Sequence, residues 1–233
     1  MNSVPDHLGQ MSAPNRPQHR TDALAPICDI NEQCLQMLVE VARGNPSSAD
    51  PFLSEILTLT ATLNSQTLAT AARFPFLLLD FGFSEPKWWR GITGESNDPA
   101  SELTWLTPFP RTTTTKLARA ITMLAWHTVR TDAEASVVLL GITPEVAGIL
   151  RSIRFHSIED LAERHARRLR LRWADRPGVW RQLIACAKHT EIDVAHEFVL
   201  HALQLTEGTS LPPAGTPPTV KTTPSKSQRH HPH

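Results

Sequence analysis

Apolar positions recur along the chain with two periods. In "DINEQCLQMLVEVARG" (29–44) Ile30, Cys34, Met37, Leu38 and Val41 share one helical face, and Gly44 and Pro46 supply the usual stop. "TTKLARAITMLAWHTVRTDAEASVVLLG" (114–141) repeats the pattern with Leu117, Ile121, Leu124 and Thr128, which predicts one long helix. The second period is two. In "LRLRW" (169–173) Leu169, Leu171 and Trp173 alternate with arginines, as in a strand with one apolar face.

Between these lies "LLGITPEVAGILRSI" (139–153), where an apolar run stops and restarts within a few residues. Gly141 suits a left-handed helix end, Thr143 a helix N-cap and Pro144 the first helical position. Val146, Ile149 and Leu150 then give the new helix an apolar face, and Ser157 with Asp160 predicts the cap of a third. A helix-turn-helix has this pattern. So does a plain corner between packed helices.

Three stretches of the first half have counterparts in the second, in the same order. "LNSQTLATAA" (63–72) faces "RFHSIEDLAE" (154–163), "LLLDF" (77–81) faces "LRLRW" (169–173), and "SEPKWWRGI" (84–92) faces "DRPGVWRQL" (175–183). The offset is 91 or 92 residues throughout, which points to an internal duplication. The predicted fold is mainly α, with two similar helical units and a short β segment in each. The units span 25–95 and 116–206, joined by a linker over 96–115 rich in turn formers and Thr. Polar residues 1–24 and the Pro-, Thr- and His-rich residues 207–233 are expected to be disordered tails, because they offer little to bury against the entropy of ordering.

Charge narrows the function. The 233 residues carry 23 basic and 23 acidic side chains, so affinity for nucleic acid must come from local clustering. Such a cluster runs from Arg151 to Arg181, with nine arginines against four acids. Arg151, Arg154, Arg164, Arg167, Arg168, Arg170 and Arg172 are the candidate DNA contacts, since the guanidinium fork suits phosphate and guanine. A solvated helix face and a charged edge strand would carry the same residues. Trp89, Trp173 and Trp180 are expected to anchor cores, while Trp88, Trp89 and Trp105 are candidates for a partner or dimer surface.

Signals for catalysis are lacking: the chain has no Gly-rich phosphate loop, nucleophile elbow or His-Glu-x-x-His. His196 and His201 are spaced i, i+5 on different helix faces, and His230, His231 and His233 sit in a tail, so neither group predicts a metal or cofactor. Cys34 and Cys186 read as core residues. Three cysteines without paired spacing fit a reduced compartment, and no apolar run nears the roughly 20 residues that span a bilayer. A cytoplasmic chain without catalytic activity, cofactor or membrane contact is expected.

In the second unit Leu124-Ala125, Arg130 and Asp132, Leu140-Gly141-Ile142, Glu145-Ala147-Leu150, Leu161-Ala162 and Arg172-Trp173 follow one another in a gapless pattern. In that pattern the unit resembles the bacterial flagellar master-regulator family FlhD. The first unit looks like a worn copy that lacks the Leu-Gly-Ile turn. The resemblance implies a mainly helical activator subunit that dimerises and acts on double-stranded promoter DNA beside an FlhC-like partner, which holds the zinc. Family members are about half this length and pair as separate chains, so this chain would carry both halves of a pseudo-dimer. Self-association, and operons other than flagellar ones, stay open. The rival reading is a helical adaptor or chaperone-like protein that binds another protein and never touches DNA.

Overall fold

The computed structural model describes residues 18–44, 50–94 and 108–188, with side chains from Leu24 onward. The first apolar face becomes α1 (Gln18–Gly44), which buries Ile27, Ile30, Cys34, Leu35 and Leu38. It begins inside the stretch expected to be a tail. α2 (Pro51–Ala61) has no forerunner in the sequence reading, although Asp50 and Pro51 signal it. The Asp50 carboxylate accepts from the Phe52 N–H at 2.9 Å, and Pro51 opens the helix. α3 (Ser65–Ala72) starts at Asn64, whose Oδ1 accepts from the Thr67 N–H at 2.8 Å. β1 (Leu79–Asp80) and α4 (Pro86–Thr93) complete the first half.

The second half runs α5 (Arg111–Thr131), α6 (Ala133–Ala135), a π-helical turn at Ser136–Leu140, α7 (Pro144–Ser152) and α8 (Phe155–Arg164). A 3-10 turn at Ala166–Arg168, β2 (Arg170–Leu171) and α9 (Pro177–Lys188) follow. The long helix predicted over 114–141 is therefore broken. At Asp132 the backbone turns extended (φ −150°, ψ 93°), and the carboxylate caps the next segment by accepting from the Ala135 N–H at 2.9 Å. The cap expected at Ser157 also moves. Arg154 is the N-cap of α8, directly after Ile153, whose carbonyl accepts from the Trp126 indole N–H at 2.8 Å.

Packing ties the halves together. α1 packs on α2 and α3, and α5 on α7 and α8. α9 crosses back onto α2 and α3, and α4 reaches over to α7. β1 and β2 pair antiparallel, Leu79 opposite Leu171 and Asp80 opposite Arg170. The buried apolar residues form one continuous core drawn from both halves. Among the described residues no single helix is long and apolar enough to cross a membrane.

A buried amide sets the approach to this sheet. Asn31 of α1 is fully buried, and its Nδ2 donates to the carbonyls of Phe76 at 2.8 Å, Phe74 at 3.3 Å and Ala72 at 3.5 Å. Its Oδ1 accepts from the Leu78 N–H at 2.9 Å. The segment entering β1 thus finds in one side chain the partners that water would otherwise supply. Replacing Asn31 by Leu keeps the branched shape, strips these bonds and should lower the unfolding free energy by about 3 kcal/mol. Urea unfolding measures this, and a loss below about 1 kcal/mol would assign Asn31 no such role.

Candidate nucleic-acid interface

The turn predicted at 141–144 forms as the local chemistry requires. Gly141 is left-handed (φ 71°), Thr143 caps α7 with its hydroxyl accepting from the Val146 N–H at 3.4 Å, and Pro144 is the first helical residue. The segment Ala133–Leu140 meets Pro144–Ser152 at 119°. The turn also touches the first half, since the Thr143 N–H donates to the Phe83 carbonyl at 3.1 Å. A Cβ on Gly141 would lie 2.8 Å from Cζ of Arg172. Glycine suits the positive φ here, and a larger residue would also have to displace the Arg172 guanidinium.

Three of the seven candidate DNA-contact arginines turn inward and serve contacts within the chain instead. Arg168 is 4% exposed; it pairs with Glu85 and lies 4.6 Å over the Trp88 ring. Arg170 pairs with Asp80 at 2.5 Å and Glu85 at 3.0 Å. Burial lowers the pKa of its guanidinium, but the attraction and hydrogen bond of Asp80, with help from Glu85 and Asp175, outweigh this and raise it. Arg172 is 9% exposed, donates to the Leu139 carbonyl at 3.2 Å and lies 4.5 Å over the Trp173 ring. Burial pulls its pKa down to about 10 against the pull of Asp80, so it remains charged at neutral pH. The polar side of "LRLRW" would meet water in an isolated unit. Here the first half and the 139–141 turn cover it.

The other four, Arg151, Arg154, Arg164 and Arg167, are exposed and lie at the two ends of α8. At its N-terminal end Arg151 caps α5, with Nη2 donating to the Val129 carbonyl at 2.9 Å. Arg130, which the sequence reading did not select as a site residue, donates to the Arg151 carbonyl at 2.6 Å and stacks 4.3 Å over Trp126. Its spacing of four from Trp126 on one helix was the available signal. Phe155 stands edge-on to Trp126 at 5.4 Å and is 53% exposed. At the C-terminal end Arg164 bonds the Asp160 carbonyl at 3.3 Å. The outer face of α8 between these ends carries Glu159, Asp160 and Glu163, the last paired with Arg119 at 2.8 Å.

The tryptophans expected on a partner surface are instead interior. Trp88 and Trp89 are 5% and 0% exposed, packed with Phe81 and Phe83, and the Trp89 indole donates to the Gly82 carbonyl at 2.9 Å. Four aromatic rings around one turn bury one another, whatever a local reading assigns to each. Trp105, His196 and His201 lie outside the described residues. Cys34 is fully buried, with burial raising its thiol pKa, and Cys186 is buried too. Among the described residues no cluster of His, Cys, Asp and Glu could hold a metal ion.

Residues 116–207 match the family model described as flagellar transcriptional activator (FlhD). No curated protein and no solved structure matches the chain. The match runs from Lys116 within α5 through α9, including the turn at Gly141 and every candidate arginine.

Two glycines test the turn against each other. Gly141→Ala should cost about 2 kcal/mol, from left-handed strain and collision with Arg172. Gly148→Ala, in α7 with nothing within 4 Å of the new Cβ, should gain about 0.5–1 kcal/mol. Thermal unfolding of both variants compares the two effects, and equal shifts would contradict the role given to Gly141.

Proposed function

We propose that this chain is a cytoplasmic transcription-activator subunit that contacts promoter DNA, of flagellar or related operons, beside an FlhC-like partner. The observation that carries this is the match of 116–207 to a family of flagellar transcriptional activators. The three-residue turn at 141–143 and the 119° crossing agree with a helix-turn-helix. Exposed Arg151, Arg154, Arg164 and Arg167 are the proposed phosphate contacts, with the Thr143 to Leu150 segment setting their geometry. Arg168, Arg170 and Arg172 serve the interior. Phe155 beside Trp126 offers an apolar contact for the partner subunit, and it also favours the adaptor reading, in which only protein binds.

We further propose that units 25–95 and 116–206 form a tandem that stands in for a dimer. An offset of 91 maps Pro86 of α4 onto Pro177 of α9, and Trp89 onto Trp180. Both indoles donate to the preceding turn, at 2.9 Å to Gly82 and at 3.0 Å to Arg172. The same offset joins two left-handed residues, Gly82 (φ 74°) and Trp173 (φ 56°). Carried through the strands, an offset of 91, one less than the 92 that aligns 77–81 with 169–173, maps Leu79 onto Arg170 and Asp80 onto Leu171, and the antiparallel register is compatible with a twofold pair. α4 on α7 and α9 on α2 are reciprocal contacts in that scheme.

Binding to promoter fragments recovered with the chain and its partner from the host should weaken steeply with salt. The double change Arg154→Ala, Arg167→Ala should reduce the log–log salt slope by roughly 2, about one unit per lost phosphate contact. An unchanged slope would remove both residues from the interface. Binding that is indifferent to nuclease and salt would favour the adaptor.

A further inference from the structure

The seam between the halves joins unlike charges in one direction. Asp80 and Glu85 come from the first half, Arg168 and Arg170 from the second, and they meet across the β1–β2 ladder. We infer that this seam is specific for unlike halves: a first half pairs with a second half, and neither pairs with its own kind. The inference rests on the tandem reading above, because it compares each residue with its counterpart 91 positions away.

Consider two second halves brought together in the same register. Asp80 is replaced by Leu171 and Glu85 by Arg176. Arg168 and Arg170 of each copy would then face an aliphatic side chain and a further guanidinium, in a place that excludes most water. A buried cation without its carboxylate is strongly disfavoured. Sterics act in the same sense. Arg168 Nη2 passes 3.4 Å from where a Cβ on Gly82 would sit, over the Trp88 ring. The counterpart of Gly82 is Trp173 and that of Trp88 is Val179, so the channel would be obstructed and the ring under the cation lost. Two first halves fail differently. Arg168 and Arg170 become Leu77 and Leu79, which leaves Asp80 and Glu85 of each copy turned toward leucine. Discrimination comes from what each wrong pair would bury unpaired as much as from what the right pair gains.

The consequence is a one-sided molecule. At the same offset Arg151, Arg154, Phe155 and Arg167 correspond to Thr60, Leu63, Asn64 and Phe76. Thr60, Leu63 and Phe76 are buried, so the basic and aromatic face occurs once per pair of units. A symmetric pair would present it twice.

The test uses the full chain with a protease recognition sequence inserted between Asn97 and Asp98, cut after purification and weighed by native mass spectrometry. Wild type should give a 1:1 complex of the two fragments that survives dilution, without same-kind pairs. Asp80→Arg alone and Arg170→Asp alone should each weaken that complex at least tenfold, and the two together should restore it. The restored swap shows that a weakened single variant has not merely misfolded. Same-kind pairs in the cut wild type, or a complex indifferent to both single changes, would overturn the inference. Fragments that separate completely would remove the tandem reading with it. Loss of promoter binding by a chain whose 1:1 complex persists would instead count against the regulator reading and leave the seam standing.

Discussion

The Asp80 and Glu85 carboxylates against the Arg168 and Arg170 guanidinium groups are the contact on which the remaining arrangement depends. Burial of either charge set without the other would be costly, since the attraction in a poorly solvated place is what offsets lost hydration. The pairing therefore obliges β1 to lie beside β2, with Leu79 and Leu171 opposite one another. Once the strands are joined, α4 falls on α7 and α9 on α2 and α3, and one core replaces two small ones. Arg172 extends the arrangement to the helical turn, where its guanidinium fills the space that Gly141 leaves open.

This division of labour changes what the arginine cluster means. Read along the chain, it is a single basic patch. In space it splits into an interior set that holds the halves together and an exposed set at the two ends of α8. Only the exposed set can meet phosphate, and the acidic residues between its two ends limit how DNA could lie on that helix. The aromatic pair Trp126 and Phe155, steadied by Arg130, adjoins the exposed set at the N-terminal end of α8.

Local chemistry was legible in the sequence and long-range pairing was not. Gly141, Thr143 and Pro144 announce their turn because cap, left-handed end and first helical position act within four residues. The strand pattern of 169–173 and its counterpart at 77–81 were visible for the same reason. Which arginines point inward depends on carboxylates 83 and 90 positions away, and alternation cannot name them. Trp88 and Trp89 looked available for a partner because nothing local says that Phe81 and Phe83 close over them. Two misses had signals that were outweighed. Asp132 three residues before Ala135 is a cap, yet the apolar period runs through it, and Asp50-Pro51 opens a helix that the reading left out. Asn31 sits between Ile30 and Cys34 on an apolar face, which is where a buried amide with a structural task would be found.

The central claim is that the unlike charges across the seam are energetically coupled. A double-mutant cycle with Asp80→Ala and Arg170→Ala, read by urea unfolding of the full chain, measures this directly. The account predicts a coupling of about 1–3 kcal/mol, because each single change takes from a largely buried charge its nearest opposite charge, and the double change removes both. Additivity within about 0.5 kcal/mol would mean that the two side chains merely lie near each other, and that something else holds the halves together.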